Sequence, residues 1–198
     1  MSIYKRFCRE TVDENGTLTD ISLHYPDNFN FAYDVVDAIA AETPVKRAMV
    51  WCNAENEERS FTFSDVKEQS NRMANVFRAA GLQKGDRVML VLKRHYEYWF
   101  AVLALHKLGV TAIPATHMLT VSDYVYRLRM AKVNAIVCTP YGDTAEKLRA
   151  AVNEAGVDSI LWSVRKNMKG FRNLTEEAAA EEPLRKQFPP LILIAGCL

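Results

Sequence analysis

Four histidines and four cysteines are the side chains in this 198-residue chain best suited to acid–base, nucleophilic or metal chemistry. Neither set is spaced for it. His24, His95, His106 and His117 form no ligand pairs, and Cys8, Cys52, Cys138 and Cys197 show no zinc-ligand spacing. Two of the cysteines lie in apolar, strand-like runs, which reads as buried free thiols. Glu55, Glu57 and Glu58 cluster between two short β-prone runs, and carboxylates on a loop tip of that kind are solvated. Among the histidines, His117 stands apart because Thr116-His117-Met118 follows a strand end, where ligands of open α/β sheets gather. Lys147 and Arg149 lie on the helix after the run 135–139, and a solvated helix face accounts for them on charge alone. Arg165, Lys166, Lys169 and Arg172 form a second basic group, in a loop beside an acidic segment, and are not assigned to a site. No catalytic residue and no metal ligand set is expected.

The elements that must carry these residues follow from patterning. Residues 1–29 are polar and aromatic without a period and read as an arm. Asn30 then caps a short helix that ends near Glu42, because Pro44 denies the donor that continuation needs. RAMVWC and SFTF, separated by NAENEER, predict a hairpin with an exposed tip. Ser64 is expected to cap a helix whose inward face is Val66, Ser70, Met73, Phe77 and Ala80, stopped by Gly81. RVMLVL is a nearly unbroken apolar run, as a strand covered on both faces requires.

The pattern then repeats: helix 95–108, strand 110–113, helix 122–132, strand 135–139, a helix opened by Asp143 and Glu146 as a capping pair, and strand 159–162. Strand starts near 87, 110, 135 and 159 are spaced by about 24 residues, which suits right-handed βαβ units and parallel pairing. A leucine-rich solenoid has a similar period but needs a repeated consensus that these segments lack. The fold expected is therefore a three-layer α/β/α sandwich around a mostly parallel sheet. Residues 30–175 form the α/β unit, 1–29 the arm and 176–198 a tail whose last residues, LILIAGCL, are an apolar run suited to one more strand. Consecutive aromatics at Tyr96, Tyr98, Trp99 and Phe100 must leave at least one ring facing away from the core.

Composition narrows the partners. With 49% hydrophobic residues and 25 basic against 24 acidic side chains, the chain can bury a core and carries no global field. Neither nucleic acid nor a membrane surface is recruited by its charge. No apolar segment resembles a signal or a spanning helix, so a reducing cytoplasm is the expected location.

The stretch 61–114, FTFSDVKEQSNRMANVFRAAGLQKGDRVMLVLKRHYEYWFAVLALHKLGVTAIP, continued by ATHMLTVSDYVYRLRMAKVNAIV, resembles the N-terminal region of adenylate-forming acyl-CoA synthetases, the AMP-binding superfamily. The likeness covers about residues 25–175 and rests on the Phe-Thr-Phe strand, the Ser-Asn-Arg helix, Gly-Asp-Arg-Val and Leu-Gly-x-x-x-x-Pro. The segment around Trp99 is most similar to the acetyl and medium-chain branches. In such enzymes a carboxylate attacks the α-phosphate of ATP, pyrophosphate leaves, and coenzyme A takes the acyl group from the adenylate, with Mg2+ offsetting phosphate charge.

The resemblance implies ATP, Mg2+, coenzyme A and a carboxylic acid as partners of the intact family. It places Lys147 and Arg149 near the coenzyme A 3′-phosphate, with His117 as a further cofactor-binding candidate. The family's phosphate loop follows the matched region, yet this chain contains no Gly-x-x-x-x-Gly-Lys and no Ser/Thr/Gly run to wrap a triphosphate. The expectation is a product of truncation or frameshift, or a limited N-terminal piece, inactive alone and binding no cofactor tightly. Two alternatives remain open: a non-catalytic module that self-associates, as a homodimer, through exposed apolar surface, and a weak coenzyme A or nucleotide half-site at 114–117 and 139–142.

Overall fold

The computed structural model describes residues 3–182. The run LILIAGCL, expected as a strand, lies outside them. At the centre of the described residues is a five-stranded sheet built from β5 (Arg87–Val91), β6 (Thr111–Pro114), β7 (Ala135–Cys138), β8 (Ile160–Ser163) and β9 (Arg172–Asn173), in the order β6-β5-β7-β8-β9. Every neighbouring pair is parallel.

Residue alternation along β5 shows why the run must be apolar throughout. Val88 and Leu90 enter one hydrophobic cluster, Met89 and Val91 the other, and all four are at most 1% exposed. The first cluster is covered by α2 (Phe63–Ala79), α3 (Glu97–Leu108) and α6 (Leu174–Ala180), the second by α4 (Val121–Ala131) and α5 (Thr144–Ala155). This is the expected α/β/α sandwich, with Phe77 and Trp162 packed edge to face at 5.4 Å between α2 and β8.

Two hairpins precede the sheet. β1 (Cys8–Val12) pairs antiparallel with β2 (Leu18–Leu23), and β3 (Arg47–Cys52) with β4 (Glu58–Thr62). The second hairpin matches the sequence reading. The first was not foreseen, because its apolar side chains do not alternate with polar ones on a buried face: Val12, Leu18, Ile21 and Leu23 are all exposed.

Local capping also differs from the sequence reading. Thr62, not Ser64, caps α2: its Oγ1 accepts from the Asp65 N–H, and Asp65 Oδ2 accepts from the Thr62 N–H at 2.8 Å, so the reciprocal pair sits two residues earlier. Asp143 forms no capping bond and instead pairs with Lys147 at 2.9 Å.

Asn30 does cap its helix, accepting from the Ala32 N–H at 3.0 Å, but the segment Phe31–Asp37 is wound as a π-helix before the α-turns of α1 (Ala38–Glu42). Its wider turns bring both Tyr33 and Asp37 to Lys107, a fully buried lysine of α3. The Lys107 ammonium donates to Asp37 Oδ1 at 2.9 Å, Ser70 Oγ at 2.9 Å and Asn71 Oδ1 at 2.7 Å, so all three protons are used. Burial pushes the Asp37 carboxyl up and the Lys107 ammonium down, and their mutual attraction works against both shifts.

The segment read from sequence as loop after Trp162 contains β9 and α6. Asn173 caps α6 by accepting from the N–H groups of Thr175 and Glu176, and Leu174 and Ala178 anchor the helix in the core.

Candidate functional site at the sheet switch point

In this strand order the chain leaves β5 toward β6 on one side and returns to β7 on the other. The loops at the carboxyl ends of β5 and β7 therefore diverge and leave a crevice, where open α/β sheets bind ligands. His95, in the loop after β5, and Thr139, directly after β7, meet there with His95 Nε2 2.9 Å from Thr139 Oγ1.

The loop after β5 is held by Arg94, whose backbone has φ +48° and whose carbonyl accepts the Trp51 indole N–H at 2.6 Å. The His95 ring stacks on Tyr141 with centroids 5.8 Å apart and planes inclined by 10°, and the Lys166 ammonium lies 4.7 Å from the Tyr141 ring centre. His95 is 5% exposed. Burial pulls its imidazolium pKa down to about 4; the charge of Glu97 acts in the opposite sense and that of Arg165 adds to the fall. The ring is neutral near pH 7. Thr139 Oγ1 already accepts from the Tyr141 N–H at 3.4 Å, so its hydroxyl is free to donate to Nε2, with the ring proton on Nδ1 toward Glu97 Oε2 at 4.0 Å.

Behind this pair stands a buried ion pair. Arg165 donates from Nε and Nη2 to the two oxygens of Glu97 at 2.6 and 2.9 Å, a two-pronged contact on a carboxylate whose side chain is 2% exposed. The guanidinium is flanked by Trp51 at 4.8 Å and Tyr96 at 4.5 Å. Arg165 holds φ +63°, so the turn after β8 is bent to deliver it. Hairpin β3–β4, the start of α3 and the loop after β8 are thereby tied together at one end of the sheet.

The three expected cofactor residues are all near this end but do not form one cluster. His117 follows β6 and is half-buried, close enough for its charge to act on the Asp143 carboxylate. Lys147 donates to that same carboxylate, and this hydrogen bond is the main reason Asp143 is held below the usual carboxylate range. His117 and Lys147 are thus neighbours through Asp143. Arg149, two residues on and so on a different face of α5, is exposed, and its Nη1 donates to the Lys169 carbonyl at 3.2 Å.

The other candidates disperse. His24 is exposed. His106 gives its carbonyl to Asn30 Nδ2, and its buried Nδ1 has no hydrogen-bond partner among the described residues. Cys138 is fully buried, and burial pushes its thiol up to about 12, which removes it as a nucleophile. Glu55, Glu57 and Glu58 are exposed at the β3–β4 tip, and no group of three potential metal ligands occurs among the described residues.

The basic group Arg165, Lys166, Lys169 and Arg172, left unassigned from sequence, is split by the fold. Arg165 is bonded to Glu97 behind the crevice, Lys166 lies over Tyr141 at its rim, and Arg172 makes two 2.8 Å bonds to Glu177. Thr139 opens the 139–142 segment marked in the sequence as a strand end, whereas Glu97 carries no local signal. Of the consecutive aromatics, Trp99 faces solvent at 56% exposure and Phe100 is buried.

An open, doubly wound α/β protein with its crevice at the switch point is the class these features define. A model of the family described as AMP-binding enzyme matches residues 36–191, and the chain belongs to that family. Its relatives are acyl-CoA synthetases. It is 39% identical over 124 residues to acyl-coenzyme A synthetase ACSM3, mitochondrial, of Homo sapiens, an alignment covering 60% of this chain and 21% of the relative. It is 34% identical over 181 residues to acyl-coenzyme A synthetase ACSM4, mitochondrial, of Mus musculus, covering 87% and 31%. The chain therefore spans a fifth to a third of the length of these curated relatives.

The fold is shared with a benzoate CoA ligase from Burkholderia xenovorans LB400, at TM-score 0.65 and 22% identity over 80% of this chain and 30% of that one. It is shared also with the luciferase-like enzyme of the mealworm Zophobas morio, at TM-score 0.67 and 15% identity over 82% and 39%. The resemblance and the α/β architecture read from the sequence are both borne out.

Proposed function

We propose that this chain supplies the N-terminal α/β unit of an AMP-forming acyl-CoA synthetase, which joins a carboxylic acid to coenzyme A through an acyl-adenylate. The observation that carries the reading is the switch-point crevice of a family member: a rim of Lys147 and Lys166, an exposed Tyr141, and the N-terminus of α5, left without a side-chain cap by Asp143. Those features suit a phosphate-bearing ligand with an aromatic ring. Lys147, His117 and, on the Lys169 side, Arg149 are the residues we assign to a coenzyme A or nucleotide half-site. Coenzyme A would supply the thiol that accepts the acyl group.

The fit is partial. The 198 residues contain no Ser/Thr/Gly loop for a triphosphate, and the described ones hold no ligand cluster for Mg2+, so no step through ATP or metal is assigned to them. We infer that the chain alone catalyses no adenylation, since the groups that stabilise a transferring phosphate are missing. An ATP–pyrophosphate exchange assay with acetate, butanoate and benzoate tests this. No exchange is the expected result; measurable exchange overturns it.

Residues 30–175 are the unit proposed to bear the site, with 1–29 as an arm and the tail from 176 completing α6. Cys8, Cys52 and Cys138 are free thiols, which favours a reducing compartment such as the cytoplasm. The relatives named above are mitochondrial by name. No helix among the described residues is long and apolar enough to cross a membrane.

A second reading rests on the β1–β2 hairpin. A two-stranded ribbon with Val12, Leu18, Ile21 and Leu23 at 48 to 68% exposure gains little by itself, and covering it against a second copy favours a homodimer. Light scattering distinguishes the two states; a strictly monomeric particle removes this reading.

A further inference from the structure

Two of the loops that border the switch-point crevice are bent at residues other than glycine. Arg94, just before His95 in the loop after β5, has φ +48°, and Arg165, just before Lys166 in the loop after β8, has φ +63°. A residue with a side chain keeps such a backbone only where its neighbours impose it. One side chain touches both. The indole of Trp51, on β3, donates from Nε1 to the Arg94 carbonyl at 2.6 Å, and its ring centre lies 4.8 Å from the Arg165 guanidinium.

The ring is itself fixed in place. Trp51 packs edge to face on Tyr96, the residue that opens α3, at 5.3 Å and 86°. Arg59, opposite Trp51 in the β3–β4 register, donates from Nη1 to the Tyr96 hydroxyl at 3.1 Å. The hairpin thus grips the start of α3, and from that anchorage Trp51 reaches both loops. Each loop also has a partner of its own: His95 meets Thr139 Oγ1 at 2.9 Å, and the Arg165 N–H donates to Thr175 Oγ1 at 2.9 Å. The indole is what the two share.

We propose that Trp51 is a positioning residue for the crevice: acting through Arg94 and Arg165, it sets the separation of His95 from Lys166, and with it the opening that a ligand must fit. This deepens the half-site reading and rests on it for the identity of the ligand, whereas the spacing of the two loops does not depend on which ligand enters. An outer hairpin thereby tunes a site to which it contributes none of the rim residues Tyr141, Lys147 and Lys166.

The test compares the natural chain with Trp51→Phe, which keeps a ring beside Arg165 and removes the N–H donor, and with Gly156→Ala, which weakens α5 at the opposite end of the sheet. Proton NMR follows the His95 ring from pH 8 to pH 4, its resonance assigned by loss in His95→Asn. The charges that face the ring, Glu97 and Arg165, are unaltered in both variants. In Trp51→Phe the midpoint is expected to rise by roughly one pH unit, because a loosened loop admits water to the ring, while Gly156→Ala titrates like the natural chain. In the natural chain the Trp51 indole N–H is expected to exchange with solvent roughly tenfold more slowly than that of the exposed Trp99. An unmoved midpoint, an equal rise in both variants, or equal exchange of the two indoles overturns the proposal.

Coenzyme A titrated into the same chains separates this proposal from the half-site reading. Affinity lowered roughly fivefold by Trp51→Phe supports both. Equal affinity overturns the positioning role alone. No binding by the natural chain removes the half-site reading, and the His95 midpoint then decides the role of Trp51.

Discussion

His95 Nε2 and Thr139 Oγ1 stand 2.9 Å apart across the gap between the carboxyl ends of β5 and β7, 44 positions apart in sequence. That contact closes the floor of the switch-point crevice and holds a neutral imidazole against the Glu97–Arg165 pair. Its surroundings set several measurable consequences.

Acidification should destabilise the chain through His95. Its folded pKa of about 4 lies below the ordinary 6.5, so between those values the unfolded state binds more protons, and stability present above pH 6.5 is lost as pH falls through about 4. His106, also depressed by burial, adds in the same direction. One such group contributes a slope of at most about 1.4 kcal/mol per pH unit. Urea midpoints across this window should fall for the natural chain and fall less steeply for His95→Asn.

Arg165→Ala should destabilise by about 3 to 5 kcal/mol, because it strands the buried Glu97 carboxylate. Pairing it with Glu97→Gln should return part of that loss. Trp51, beside the Arg165 guanidinium, offers an intrinsic fluorescence probe, and equilibrium urea unfolding of the two single variants and the double supplies the comparison.

Lys107→Met leaves Asp37 buried without its cation and Ser70 and Asn71 without their donor. A loss of about 3 to 5 kcal/mol is expected, with Asp37→Asn in the same chain recovering on the order of 1 to 3 kcal/mol by removing the stranded charge. Thermal melts of the single and double variants check the sign of the coupling.

Gly156→Ala isolates a backbone effect. Gly156 ends α5 at φ +67°, and a Cβ built there meets no atom within 4 Å, so the cost is conformational alone, about 1 kcal/mol. Chemical denaturation should show that loss with no change in the slope of the transition.

Much of the fold was legible because it is written in local period. Val66, Ser70, Met73 and Phe77 marked the buried face of α2, and RVMLV marked a strand covered on both sides. The site was legible only in outline. His117 and Lys147 could be placed near a strand end, but His95 with Thr139 and Glu97 with Arg165 meet across 44 and 68 positions, and no local spacing encodes such contacts. Capping is ambiguous in sequence where several residues can serve: Thr62 and Ser64 are both competent, and the reciprocal bond with Asp65 selects Thr62. Hairpin β1–β2 escaped because its apolar side chains are exposed rather than alternating onto a core.

The central claim is that the crevice between β5 and β7 is one half of a coenzyme site. Calorimetric titration of the 198-residue chain with coenzyme A tests it most directly. Weak, saturable binding is expected, weakened by added salt and lost in Lys147→Ala with Arg149→Ala. Absence of binding at millimolar coenzyme A, or binding indifferent to both substitutions, would contradict it.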